Sequence, residues 1–404
     1  MPSLIFRKGL DLKHAVAAEV AADYHSELVD RIRNSTHRYT SGRVTIYLAR
    51  EFGFCYGVDR AIDYAYQTRR RFPDRPVYLT SEIIHNPYVN GKLRTAGIRF
   101  LSDPGEDADQ LGREAVVILP AFGVEVAELE QYVRQGCTVI DTTCGSVLNV
   151  WKTVRQYAAD GFTTVIHGKA HHEETRATAS QTLTIPQGRY LVVLDRAEAL
   201  IVCDYIRHGG EARAWLARVG KAASGGFDPD RDLQRIGVAN QTTMLTTDSL
   251  EIGDLFRQAM IDRYGDADLS RHYRAFDTTC SATQDRQDAA MALVDQRRLD
   301  LMFVVGGYNS SNTCNLARMC AERVRTFHIV DAACLVSPDE VRHRPVSTGR
   351  QGTTAQGPRH DEAITGDWLP RRGPLSIGLT GGASTPQNIM GRVIETLAEF
   401  AAHA

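Results

Sequence analysis

Long apolar runs are missing from this chain. The longest, such as LDLMFVV from Leu299, have the length of a buried strand and fall far short of a membrane span, so no membrane segment is expected. The N-terminus, MPSLIFRKGLDLKHAVAAEV, lacks the apolar core of a secretion signal. Asp11 and Glu19 argue against an organellar transit peptide, which leaves a cytoplasmic protein as the plain reading. There is no lysine-rich tract, and the formal net charge is -2 over 404 residues. Nucleic acid therefore has no electrostatic footprint here, and an anionic ligand must be met by a local pocket. Two chemical fingerprints are absent as well. No C-x₂₋₄-C pair occurs, which disfavours a structural zinc site. No G-x-G-x-x-G follows a strand pattern, so electrons for any redox chemistry would have to come from outside the chain.

What is present is an ordinary globular composition, 43% hydrophobic and 24% charged, in a chain long enough for two or three domains. Eight cysteines are unlikely to form a disulfide framework in a reducing compartment. Cys137, Cys203 and Cys320 sit in apolar or amphipathic settings where burial explains them, and Cys334 is similar. Cys314, beside an NSS loop, is ambiguous.

The other three cysteines stand in a repeat. VTIYLAREFGFCYGVDRAIDYAY, CTVIDTTCGSVLNVWKTV and YRAFDTTCSATQDRQDAAMALV each read as a short strand, a cysteine and an amphipathic helix. The last two share DTTC, at Asp141–Cys144 and Asp277–Cys280. A second strand and polar loop follow at similar distances: His85 lies 30 residues after Cys55, His172 lies 28 after Cys144, and Ser310 lies 30 after Cys280. A third strand-loop signal completes each unit, around Phe122, Thr242 and Ser384.

Strands alternating with helices predict parallel α/β layers, with ligands at the C-terminal ends of the strands. The expectation is three α/β domains in pseudo-threefold arrangement: 45–137, 138–274 with an insertion near 207–235, and 275–404 with a loop insertion at 338–374. Residues 1–44 precede them as a helical extension.

Thiolates suit the soft irons of an iron–sulfur cluster, and three ligands would leave one iron of a cubane open to substrate. The bland alternative is three buried helix-start cysteines. His85, His172, Thr242, Ser310, Asn312 and Ser384 offer donors for an anion, in loops that lead into helices. Each alone reads equally well as a cap, a turn or a satisfied core residue. Glu173 and Glu174 follow the pair His171–His172, where a carboxylate serves either as a general acid or as a complement to a helix dipole.

The strings FCYGVDRA, EIIHNPYVN, LPAFGV, DTTC, VIHGKAHHEETRATAS, ANQTTM, TTCSATQDRQDA, VVGGYNSSNT and GASTP, in this order from about residue 45 to 400, resemble the 4-hydroxy-3-methylbut-2-enyl diphosphate reductase family, and its plant and cyanobacterial branch in particular. The resemblance implies a three-lobed fold around one [4Fe–4S] cluster held by Cys55, Cys144 and Cys280. It implies an iron–sulfur oxidoreductase that closes the non-mevalonate isoprenoid pathway, using two electrons and two protons to remove a hydroxyl as water and give isopentenyl and dimethylallyl diphosphate. His85, His172, Thr242, Ser310, Ser311, Asn312 and Ser384 match the family's diphosphate pocket.

Glu174 matches its proton-relay glutamate. The H-x-E pattern can also be drawn from His171 to Glu173, but the flanking GKA and TRATAS favour His172 and Glu174. Thr242 and Thr243 match hydroxyl contacts in the relay. A ferredoxin or flavodoxin is implied as electron donor. The chain departs from the family pattern twice: Phe122 stands within PAFG where the enterobacterial form has histidine, and GSVLN, Gly145 to Asn149, replaces a proline-containing segment after Cys144. The competing functions are a quinolinate synthase-like lyase on the same three-cysteine cluster, and a cluster-based sensor or zinc-stabilised scaffold without catalysis.

Overall fold

The computed structural model describes residues 5–276, 278–346 and 362–403. The chain divides into two compact units, one formed by Asp109–Cys280 with Ile5, the other by Phe6–Ala108 with the residues from Ser281 onward.

The first unit is built on an all-parallel sheet in the order Tyr273–Ala275, Ile236–Asn240, Thr163–His167, Tyr190–Val193. Asn240 pairs with His167, and Val165 with both Val238 and Leu191. Every residue of Thr163–His167 and Ile236–Asn240 is buried, as expected of strands covered on both faces. Val165, Leu191 and Val193 pack with Val202, Ile206 and Phe256 from the helices Arg196–His208 and Thr246–Tyr264. A second parallel pair, Val116–Leu119 with Thr138–Asp141, belongs to the same unit. The expected insertion near 207–235 folds as the short helices Ala212–Val219 and Pro229–Asp232. Trp215 stacks on Phe227 and tilts against Tyr205, which gives the excursion its own apolar anchor.

The second unit is centred on a sheet ordered Thr326–Ile329, Leu301–Val305, Leu375–Gly381, Val44–Leu48, Arg38–Ser41, parallel except for the last strand. Alternation sends its side chains to two cores. Phe303 and Val305 meet Ile389, Val393 and Leu397 of the helix Gln387–His403 on one face, while Met302 and Val304 meet Leu316 and Cys320 of Ser311–Ala321 on the other. A smaller parallel pair joins Val77–Leu79 to Arg99–Phe100.

The N-terminal extension is helical, as expected, but it is two helices, Lys13–Tyr24 and Glu27–Arg33. The break is at His25–Ser26, where Ser26 turns extended and its Oγ accepts from Val29 N, starting a second helix in place of one continuous pattern.

The segment 338–374 also differs from the expected loop. Of it, 347–361 lie outside the described residues. The described flanks form a three-stranded antiparallel sheet of Leu335–Ser337, Glu340–His343 and Ala363–Gly366. A single fully buried Trp368 anchors it, packing edge-on against Phe303 and donating its indole N–H to Ser337 O. Composition rich in Gly, Pro and Arg concealed that anchor. Among the described residues no helix is long and apolar enough to cross a membrane.

Candidate active site

Cys55 caps the helix Tyr56–Arg71, Cys144 caps Gly145–Ala159, and Cys280 directly precedes Ser281–Gln296. Each follows a strand, as the repeat predicts: Val44–Leu48, Thr138–Asp141 and Tyr273–Ala275. Asp277 of the second DTTC lies outside the described residues. What the repeat did not reveal is the pairing. Each cysteine-bearing strand pairs with a strand of a different repeat: Thr138–Asp141 and Tyr273–Ala275 with Val116–Leu119 and Ile236–Asn240 of the preceding repeat, and Val44–Leu48 with Leu375–Gly381 of the last. Local pattern specifies a strand but not its partner.

The three cysteines and Cys314 are half-buried, whereas Cys137, Cys203, Cys320 and Cys334 are buried. Burial pushes the thiols of Cys203 and Cys320 up to about 12, which keeps them protonated and inert. Cys314 Sγ donates to Tyr308 O and receives Arg344 Nη1, so it is engaged in local structure.

Within the first unit the predicted residues join into a closed chain of contacts. Cys280 N donates to Thr242 O at 3.2 Å, and Thr242 N donates to Glu174 Oε1 at 2.6 Å. Glu174 N donates to His172 Nδ1 at 3.1 Å, which puts the proton of the neutral imidazole on Nε2. The His172 ring meets the edge of Phe122 at 6.0 Å between centroids. Beside Phe122, Ala121 O accepts from Cys144 N at 2.8 Å. Ser146 Oγ then lies 3.3 Å from Cys280 Sγ and closes the circuit. Thr242, His172 and Glu174 are buried, Glu174 almost completely.

Thr243 is fixed differently. Its hydroxyl receives Gln241 Nε2 at 2.8 Å, while Gln241 Oε1 is held by Lys169 N and Thr175 Oγ1. Cys144 packs on Val147, Trp151 and Ala177. Burial raises its thiol, and the N–H groups of Ser146 and Val147 at the helix start act in the opposite direction. Gly123, at φ +77°, makes this packing feasible, because a Cβ there would lie 2.4 Å from the Trp151 ring.

In the second unit Cys55 N donates to Ala383 O at 3.3 Å, and Ala383 N donates to Asn312 Oδ1 at 3.0 Å. Ser384 O accepts from Asn86 Nδ2 at 2.8 Å, and Ser384 Oγ donates to His85 O at 3.4 Å. His85 Nδ1 lies 3.0 Å from Glu82 Oε2. Ser310 caps Ser311–Ala321, its Oγ accepting from Thr313 N. Ser310, Ser311, Asn312 and Ser384 are all buried. Asn312 Nδ2 has no hydrogen-bond partner among the described residues although Asn312 is only 2% exposed. An unmet buried donor costs about 1–3 kcal/mol, and this amide is able to donate to a bound acceptor.

In both units these side chains sit on loops that leave the C-terminal ends of parallel strands and enter helices, where main-chain N–H groups favour an anion. Sequence reading missed four residues that hold these loops. Buried Arg286 donates Nε and Nη2 to Gly53 O and Nη2 to Phe54 O, fixing the chain into Cys55. Asn86, Gln241 and Ser146 act as described above. One available signal was a lone arginine on the buried face of SATQDRQDAA. Asn86 also carries a local signal, capping Pro87–Thr95 ahead of a proline, while the contacts of Asn86 to Ser384, Gln241 to Thr175 and Ser146 to Cys280 span separations that leave no local pattern.

A family model described as "LytB protein" matches residues 46–398. A "4-hydroxy-3-methylbut-2-enyl diphosphate reductase" of Gloeobacter violaceus is 46% identical over 98% of this chain and 92% of that protein. One of the same name from a Synechococcus strain is 45% identical, covering 97% of this chain and 94% of that protein. Among solved structures, "(E)-4-Hydroxy-3-methyl-but-2-enyl Diphosphate Reductase, the Terminal Enzyme of the Non-Mevalonate Pathway" superposes with a TM-score of 0.53 over 88% of this chain and 99% of that one, at 24% identity. The "E-1-hydroxy-2-methyl-but-2-enyl-4-diphosphate reductase from Plasmodium falciparum" gives a TM-score of 0.58 at 21% identity, covering 87% of each chain. At these identities the two structures speak to the fold alone.

Proposed function

This chain belongs to the LytB family, and from that premise we propose that it reduces (E)-4-hydroxy-3-methylbut-2-enyl diphosphate to isopentenyl and dimethylallyl diphosphate, the last step of the non-mevalonate isoprenoid pathway. The observation that carries the reading is the linkage in which the Thr242 C=O accepts from Cys280 N–H and the Thr242 N–H donates to the Glu174 carboxylate. That linkage sets a cysteine whose thiol can bind metal one residue away from a group able to hold a proton.

Cys55, Cys144 and Cys280 would hold one [4Fe–4S] cluster. The donor set fits such a group: three half-buried thiols at helix starts, with the Ser146 hydroxyl 3.3 Å from Cys280 Sγ. When bound, the cluster supplies electrons and an iron that no protein ligand blocks. The chain's own residues do the rest. His85, His172, Ser310, Ser311, Asn312 and Ser384 bind and orient the diphosphate, with the unmet Asn312 amide as one donor. Glu174 holds the proton for the departing hydroxyl on Oε2, since Oε1 is committed to Thr242 N. The hydroxyls of Thr242 and Thr243 contact the substrate hydroxyl. Phe122 in place of a histidine removes one diphosphate contact and contributes an apolar edge against His172.

The balance is two electrons and two protons in: the C–O bond breaks, one proton leaves with the oxygen as water, and the other forms a C–H bond at either of two carbons, giving isopentenyl or dimethylallyl diphosphate. A ferredoxin or flavodoxin as donor, a cytoplasmic location and the lobes 45–137, 138–274 and 275–404 are carried as parts of the same proposal. The test is anaerobic purification, iron and sulfide analysis, and turnover with a strong artificial donor. Cys55→Ser, Cys144→Ser and Cys280→Ser should each lose cluster or activity, while Cys203→Ser keeps both. Turnover without electron input would instead support the lyase reading, and a fully loaded protein that never turns over would sink the assignment.

A further inference from the structure

The GSVLN segment after Cys144 is the part of the site that the chemistry above leaves without a role. Gly145 faces open space. The next residue, Ser146, sits in the first turn of Gly145–Ala159 with its Oγ 3.3 Å from Cys280 Sγ. The same residue follows Cys144 by two positions at the start of that helix. One side chain beside Cys144 thus reaches the sulfur of Cys280, 134 positions away.

We propose that Ser146 is a positioning residue that donates its O–H to the Cys280 sulfur of the cluster and raises its reduction potential. This rests on the reading that Cys144 and Cys280 hold that cluster. A thiolate bound to iron carries no proton and can only accept, so in the loaded protein the hydroxyl must be the donor. Reduction adds negative charge that the sulfurs share, and a donor aimed at a sulfur stabilises the reduced form more than the oxidised one. Removing it should lower the reduced-to-oxidised ratio at a fixed potential about tenfold, which for a one-electron couple is a midpoint lower by about 59 mV.

The experiment is an anaerobic redox titration of the loaded full-length protein, followed by electron paramagnetic resonance, after iron and sulfide have been measured. Ser146→Ala should move the midpoint down by that amount with unchanged metal content. Ser146→Thr and Ser146→Val form a second pair of nearly equal shape that differs by the hydroxyl. Thr should titrate with the wild type and Val with Ala, which keeps the test alive if Ala does not hold its cluster. Equal midpoints for the Thr and Val variants, or for Ala and wild type, overturn the role of Ser146 and leave the reductase reading intact. A wild type that takes up no cluster overturns that reading, and this proposal with it.

Discussion

Gly307→Ala should damage the substrate pocket without touching any residue that bears chemistry. Gly307 lies in the loop between Leu301–Val305 and the Ser310 cap. A Cβ there would stand 2.2 Å from His85 O and 3.1 Å from the carbonyl carbon, where real contacts essentially never fall under 3.0 Å. One segment must therefore retreat by roughly 1 Å in a closely packed interior. The His85 side cannot yield cheaply, because His85 O receives Ser384 Oγ, and Asn86 is tied both to Ser384 O and to the start of Pro87–Thr95. The Gly307 side cannot yield without moving Ser310.

Either movement displaces part of the proposed diphosphate site, and a misplacement of about 1 Å can cost on the order of 10²-fold in rate. Overpacking adds about 1–3 kcal/mol of destabilisation. Steady-state kinetics on the loaded protein should show kcat/KM down about 100-fold, mostly through KM, with iron and sulfide unchanged. Gly91→Ala is the control: it lies inside the helix Pro87–Thr95 with open space around it, so it should stabilise by about 0.5–1 kcal/mol and leave kinetics alone. A folded, loaded Gly307→Ala enzyme with kcat/KM within about threefold of wild type would refute the reasoning, because effects that small do not require a 1 Å displacement.

Glu174→Gln should keep the amide contact to Thr242 N through its carbonyl and lose the proton, so kcat falls by about 10²–10⁴-fold while metal content is retained. Near-normal single-turnover rates would remove Glu174 from the relay. Thr242→Val should lower kcat without disturbing the main-chain link between Cys280 and Glu174, and a loss of cluster in that variant would contradict the backbone assignment. His328, fully buried and bonded to Gly306 O, has its pKa lowered to about 3 by burial first and Arg344 second, so it is neutral in the fold. The unfolded chain takes up a proton below about pH 6.5, so stability is complete above that value and falls toward pH 3, by about 2 kcal/mol at pH 5. His328→Gln should flatten this loss in urea melts compared at pH 7 and pH 5, and equal losses in both proteins would show that other groups carry the acid sensitivity.

The cysteines were legible because a strand–cysteine–helix signal recurs, and repetition separates three thiols from four that burial explains and from Cys314, which lies outside the repeat. The helix-entry loops were legible for the same reason, since caps such as Ser310 and His172 follow strands at matching intervals. What stayed hidden acts across the chain. Ser146 and Cys280 are 134 residues apart, and Gln241 and Thr175 are 66 apart. No periodicity or cap rule reaches so far. The sheet at 335–366 stayed hidden because one tryptophan, set in polar sequence, supplies its anchor.

The carbonyl of Thr242 accepts from Cys280 N and its N–H donates to Glu174, so the link between the Cys280 main chain and the carboxylate runs through the backbone of residue 242 and not through its side chain. The two groups lie in successive planar peptides that meet at the Thr242 Cα, and each is held by its own hydrogen bond. Glu174 is held in turn through its N–H by His172 Nδ1, which caps the same helix. In the proposed reaction Cys280 helps hold the cluster and Glu174 holds the proton. A backbone link at residue 242 fixes the spacing of their two loops whatever side chain that position carries, so Thr242→Val should leave the link in place.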